Sequence, residues 1–111
     1  MNTEVKTLRA QFRRLQKQIS NAGLISHGYV QDRGPGAGGP HYQWSRKENK
    51  KTVSVALSEE QYAEMKLAIE NWRQLQQTLK SLQQVSRALI FRTTPDTTRR
   101  NPLSDRVLGT N

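Results

Sequence analysis

Six consecutive residues concentrate most of the chemistry this sequence offers. In Arg46-Lys47-Glu48-Asn49-Lys50-Lys51, four bases surround a single acid. Ammonium and guanidinium groups gathered this closely suit phosphate, which accepts charge-assisted hydrogen bonds and gives up condensed counterions on contact. Two further sets of bases extend the pattern. Lys6, Arg9, Arg13, Arg14 and Lys17 stand against one acid in residues 1–20, and Lys66, Arg73, Lys80 and Arg87 recur every seven residues. The heptad column has a plainer reading as well. Outward positions of a long helix are often charged, and bases late in a helix favour its negative end.

Catalytic chemistry is not legible. Acid–base catalysis needs placed groups with shifted pKa values, whereas the carboxylates lie mainly at a helix start, a turn and the tail. No nucleophile elbow is present, and no carboxylates cluster as a magnesium nuclease would require. Tyr29, Tyr42 and Tyr62 are nominal nucleophiles, and packing explains Tyr42 and Tyr62 better. Two histidines, His27 and His41, with no cysteine do not make a metal site by themselves. The glycine-rich run Gln31–Pro40 lacks the Gly-Lys-Ser/Thr ending and following helix of a phosphate loop. The expectation is a protein without enzymatic activity, cofactor or metal.

The formal charge is +9 and the sequence pI is about 10.5. Residues 1–20 contribute +4, 21–57 contribute +3, 58–91 are neutral and 92–111 contribute +2. A polyanion partner explains an excess placed this way, as does, more blandly, solubility. The chain has 111 residues, 33% of them hydrophobic, and a mean hydropathy of −0.85. That allows one small domain and favours an elongated or oligomeric protein. No apolar run approaches the length of a membrane span, and the first residues lack the apolar core of a secretory signal. With no cysteines, these features point to the cytoplasm and away from a membrane.

The basic cluster needs an element to hold it. Two extended runs, His41–Lys47 and Thr52–Leu57, flank it and read as a β-hairpin over 41–57. With Asn49-Lys50 as a two-residue turn, Tyr42 faces Leu57, Trp44 faces Val55 and Arg46 faces Val53. The opposite side pairs Gln43 with Ala56, Ser45 with Ser54 and Lys47 with Thr52. One register thus collects the large apolar residues on one face, and a slip of one residue destroys the agreement. Asn suits the turn because it tolerates positive φ. Leu24–Val30 reads as a short first strand, and 31–40 as a flexible loop.

Helices flank the hairpin. Val5, Leu8, Phe12, Leu15, Ile19 and Ala22 alternate spacings of three and four, predicting a helix over 3–22 capped by Asn2 or Thr3, with Gly23 as its C′ residue. Ser58-Glu59-Glu60-Gln61 is a capping box opening a second helix over 58–91. Its seam alternates Met65, Trp72, Leu79 and Ser86 with Ala68, Leu75, Leu82 and Leu89, a coiled-coil pattern. That seam is longer than the first helix can cover, so the surplus, including Leu82 and Leu89, needs another chain or a bent-back tail, and the prediction is self-association or a helical partner. Residues 92–111 are polar, proline-containing and basic, and are expected to be disordered alone, with Leu103, Val107 and Leu108 able to dock them as a short peptide. The fold expected is α+β, with one α-β-α domain over 1–91 and a tail.

The stretch Gly39-Pro40-His41-Tyr42, the hairpin and the helix containing Ile69-Glu70-Asn71-Trp72 resemble a family of small, uncharacterised basic prokaryotic proteins. That family carries a Gly-Pro-Tyr-Tyr motif, a hairpin with Asn-Gly-Lys and a long helix, and is often encoded beside transposases. Here His41 replaces the first Tyr, and Lys50 stands where the family tends to Gly. Many relatives carry cysteines before the Gly-Pro; Gly34-Pro35-Gly36-Ala37 stands here, so no metal site carries over. The resemblance covers roughly 24–91 and implies association with mobile elements or nucleic acid. The function expected is a non-enzymatic DNA- or RNA-binding accessory protein that contacts the phosphate backbone. The alternative is a coiled-coil scaffold or adaptor for a larger enzyme.

Overall fold

Asn49 and Lys50 both hold positive φ, 50° and 68°, which is the two-residue type I′ turn that matches the twist of paired strands. In this computed structural model, which describes residues 3–110, the turn joins β2 (Tyr42–Glu48) to β3 (Lys51–Leu57). Their antiparallel register pairs Tyr42 with Leu57, Trp44 with Val55, Ser45 with Ser54 and Arg46 with Val53, as the sequence predicts. A third strand, β1 (Tyr29–Asp32), pairs antiparallel with β2 through Tyr29–Ser45 and Asp32–Tyr42, giving the order β1-β2-β3. With α1 (Thr3–Ser20) and α2 (Glu59–Thr93), the chain is α+β.

The first strand lies later than the expected 24–30. Gly28 has a φ of 104°, which interrupts an extended run. The residues before it bond to α2 instead of to a strand: Ser26 N donates to Ala68 O at 3.2 Å, and Asn71 Nδ2 donates to Leu24 O at 2.9 Å. Gly23 is not a left-handed cap either. A Cβ there would lie 3.0 Å from Asn71 Nδ2, so its use is close approach. Helix α1 accordingly ends at Ser20 with a turn at Asn21. The alternative cap Asn2 lies outside the described residues.

The capping box forms as expected. Gln61 N donates to Ser58 Oγ at 3.1 Å, and Ser58 N donates to Gln61 Oε1 at 2.9 Å. These bonds satisfy two of the donors that a helix start leaves free. Only Ser58 separates β3 from α2, so the helix must begin beside the sheet. The far end closes on its own carbonyls: Arg92 Nη1 donates to Ala88 O, and Thr93 Oγ1 to Leu89 O at 2.7 Å.

The described residues fall into two compact units. One holds the sheet and the first half of α2 (22–75), and the other holds α1, the second half of α2 and the tail. In the sheet unit, Tyr42 meets Tyr62 of α2 at 4.7 Å between ring centroids, and Leu57 lies in one hollow with Met65 and Ala68. Ala68 and Ile69 are buried. The apolar hairpin face therefore covers a helix, although Val55 near its margin stays 42% exposed. In the other unit, Val5, Leu15 and Ala88 are buried. Arg92 Nη2 pairs with Glu4 Oε1 at 2.7 Å, placing the first turn of α1 beside the last turn of α2.

The two units divide the seam between them. The sheet takes the first half of α2 because β3 leads straight into it, and α1 joins the second half. Leu79, Leu82 and Leu89 are half-buried within the single chain. Over its described residues the tail makes local contacts. Asp96 pairs with Arg99, whose guanidinium lies 5.5 Å from the Phe91 ring centroid. A short helix, α3 (Asp105–Leu108), follows, with Ser104 as its N-cap and Gly109 at φ 70° closing it. Local hydrogen bonds and one cation–π contact supply order that composition does not reveal. No helix among the described residues is long and apolar enough to cross a membrane.

Candidate nucleic-acid interface

Four of the tip residues point in different directions, and the strand register decides which. Arg46 lies on the apolar side of β2. Its guanidinium sits 5.0 Å from the Trp44 ring centroid and donates to Glu48 Oε2 at 2.7 Å. Arg46 is thus committed within the hairpin, and it also holds the only acid of the tip. Lys47, Lys50 and Lys51 are exposed. The result is a turn whose three ammonium groups meet solvent while its carboxylate is already occupied.

Lys50 stands out among them for its backbone. An L-residue in the left-handed region is strained by roughly 1–2 kcal/mol, which glycine avoids. Asn49 tolerates the conformation, whereas Lys50 has no local hydrogen bond to offset it. The chain accepts that strain and keeps a cation at the apex.

The helical bases divide. Lys6, Arg9, Arg13, Arg14 and Lys17 are all exposed along α1. The heptad column is split between the units, with Lys66 and Arg73 in the sheet unit and Lys80 and Arg87 in the other. Its members are not equivalent. Lys66 Nζ lies 5.9 Å from the Tyr62 ring centroid, and Arg73 pairs with Glu70 at 3.4 Å. Arg87 bonds Gln83 at 3.3 Å, and Lys80 is exposed. Exposed i,i+3 and i,i+4 pairs contribute only a few tenths of a kcal/mol, so they leave these bases available to a stronger acceptor.

The glycine-rich loop is knit together from inside. Asp32 Oδ1 accepts from Gly34 N at 3.0 Å and contacts His41 Nε2 at 2.9 Å. Arg33 reaches back across the loop to donate to Pro40 O at 3.2 Å and Gly38 O at 3.4 Å, and its amide donates to His41 O at 2.7 Å. A Cβ at Gly39 would lie 2.9 Å from Arg33 Nη1, which explains one of the glycines. His41 then stacks on Tyr42, with centroids 4.0 Å apart. Desolvation raises the Tyr42 phenol above its ordinary pKa, and the carboxylates of Glu59 and Asp32 add to the shift. His27 serves through its backbone, its carbonyl accepting from Trp44 Nε1 at 3.0 Å. Among the described residues, no group of three or more His, Cys, Asp or Glu is placed to hold a metal ion.

Sequence reasoning missed one feature of this region. Arg33 was hidden because its partners are backbone carbonyls, which carry no sequence signal. The polar side of the sheet was in view, since the register that collects the apolar residues also collects Gln43, Ser45, Lys47, Thr52 and Ser54, with Gln31 joining through its pairing with Gln43. Comparison with protein-family models, curated proteins and solved structures finds no match.

Proposed function

We propose that this chain is a non-enzymatic nucleic-acid-binding accessory protein of a mobile element or another nucleoprotein complex. It contacts the phosphate backbone through the hairpin tip and the basic helix faces. The observation that carries the reading is Lys50 at φ 68°. Strain retained at an exposed turn, where glycine would relieve it, points to a use for the side chain. The pairing of Glu48 with Arg46 supports the same reading, because it removes the nearest acid from competition with phosphate. The resemblance to proteins encoded beside transposases accords with it.

Fluorescence anisotropy with duplex DNA, single-stranded DNA and structured RNA over a salt series tests the proposal. Each phosphate contact contributes about −0.9 to the slope of log K against log salt on B-DNA and about −0.7 on single strands. Lys50→Ala/Lys51→Ala should flatten that slope by about 1–2 and weaken binding alike across sequences. Absence of binding to all three ligands at low salt would reject the proposal.

A scaffold reading has one observation of its own. Beside β1, Tyr29, Val30, Ala63, Leu67 and Ile69 line a groove of about 500 Å³ together with the charged Lys66, Glu70 and Arg73. Leu67 is 57% and Tyr29 52% exposed. A groove with an apolar floor and charged residues beside it suits a protein partner, and such a partner is compatible with nucleic-acid binding at the tip.

A further inference from the structure

The two sides of the sheet differ in more than hydrophobicity. Strand pairing builds three rows on the side opposite Tyr42, Trp44 and Leu57: Gln31–Gln43–Ala56, Tyr29–Ser45–Ser54 and Lys47–Thr52. Gln31, Lys47, Thr52, Ser54 and Ala56 are exposed, Gln43 is half-buried, and Ser45 in the centre is only 3% exposed. Ser45 Oγ and Ser54 Oγ share a hydrogen bond of 2.9 Å. This side carries one base and no acid. Both acids of the strands, Asp32 and Glu48, fall on the opposite side by the same alternation, and each is already bonded, to His41 and Arg46 respectively.

Building on the nucleic-acid reading, we infer that this polar face enters the major groove of duplex DNA and reads base edges, with Gln31, Gln43, Lys47, Thr52 and Ser54 as the reading residues. The face offers the groups that groove can use. A glutamine amide presents a donor and an acceptor together, matching adenine N6 and N7; lysine matches guanine O6 and N7; hydroxyls serve either, and the Ala56 methyl suits a thymine methyl. The B-form major groove is about 12 Å wide and admits a two-stranded ribbon, and β2 and β3 lie about 4.8 Å apart. Entry of that ribbon would carry the Lys50 turn along the groove towards phosphate. Duplex RNA fits poorly, because its major groove is too deep and narrow for side chains to read. Single strands are held by aromatic platforms, and Tyr29 is the one aromatic on this face. Charge favours the same occupant, since the strand residues of this side include Lys47 and no carboxylate.

In vitro selection by the full chain from a randomised DNA duplex library, followed by anisotropy competition, tests the inference. The expected result is an enriched motif that wild type prefers to a shuffled duplex. Gln43→Ala should lower that preference ratio by roughly 5- to 150-fold if its contact is bidentate, and Thr52→Val should lower it by a smaller factor. Lys50→Ala/Lys51→Ala should weaken both duplexes and leave the ratio unchanged. Circular dichroism establishes that each variant is folded. Three outcomes overturn the inference while leaving backbone binding standing: duplex binding with no motif enriched, a motif whose preference survives both Gln43→Ala and Thr52→Val, or tighter binding to duplex RNA than to duplex DNA. No binding to any nucleic acid overturns the inference together with the reading it rests on.

Discussion

The Trp44 indole donates through Nε1 to the carbonyl of His27, 3.0 Å away and seventeen residues earlier in the chain. One side chain thus ties the central strand to the segment that enters β1, while its ring supports Arg46. Polar and apolar parts of a single tryptophan do separate work here.

Truncation at this position should separate the two. Trp44→Ala removes ring and donor and should destabilise the chain by about 3 kcal/mol, a large share of a small domain's stability. Trp44→Phe keeps most of the apolar contact and loses the hydrogen bond, for about 1 kcal/mol. Urea denaturation followed by circular dichroism measures both. Equal midpoints for the phenylalanine variant and wild type would show that the bond to His27 contributes nothing.

Gly28 is the backbone counterpart of that bond. At φ 104°, a Cβ would lie 2.5 Å from Ser45 O and 2.6 Å from Trp44 Nε1. Gly28→Ala therefore combines strain with a clash against backbone, and should be destabilising by roughly 2–4 kcal/mol. Gly36 has φ 81° but open space around its Cβ position, so Gly36→Ala should be destabilising by about 1 kcal/mol. Thermal melts should rank the two in that order.

These contacts mark where the sequence is informative. The hairpin, its register and the capping box were legible because each rests on local spacing: alternation of period two, a turn residue that tolerates positive φ, and a serine three residues before a glutamine. The start of β1 was not. Leu24–Val30 has strand-like composition, but Ser26 N and Leu24 O are claimed by Ala68 and Asn71, more than forty positions away. Which half of α2 receives α1 was not readable for a similar reason. The heptad seam shows that α2 has an apolar stripe without showing which half the sheet occupies. Order in the tail came from single contacts, Arg99 with Asp96 and Phe91, which leave no periodic trace. Of the candidate interface, the exposed lysines were readable, whereas the diversion of Arg46 onto Trp44 and Glu48 depends on side-chain geometry that spacing does not encode.

The tail offers a pH-dependent readout. A side-chain hydrogen bond from Arg99, helped by the Thr97 amide, holds the Asp96 carboxyl below the usual range. A depressed carboxylate adds stability above the unfolded-state pKa and loses it as pH falls through the folded-state value. Because the pair is solvent-exposed, the effect should be local. NMR signals of Thr97 and Arg99 should be steady from neutral pH to about pH 5 and should move below about pH 4. Asp96→Asn should show the altered signals at every pH. Movement centred at or above the ordinary aspartate pKa would show that the contact with Arg99 does not hold in solution.

Lys50 gives the sharpest test, because folding and binding should respond in opposite directions. Its φ of 68° is strained by roughly 1–2 kcal/mol for an L-residue. Glycine relieves that strain but loses about 0.5–1 kcal/mol of chain entropy on folding. Lys50→Gly should therefore stabilise the protein by about 0.5–1 kcal/mol and produce an Asn-Gly type I′ turn, the preferred sequence for this geometry. The same substitution removes one cation from the apex. Affinity for duplex DNA should fall, and the slope of log K against log salt should become shallower by about 0.9, the share of one phosphate contact. Lys50→Ala separates the two effects, since it removes the charge and retains the strain. It should match Lys50→Gly in binding and fall below it in stability. Calorimetry and a salt titration on the three proteins supply the measurements. A glycine variant that is more stable and binds as wild type does would mean that the strained lysine serves no phosphate.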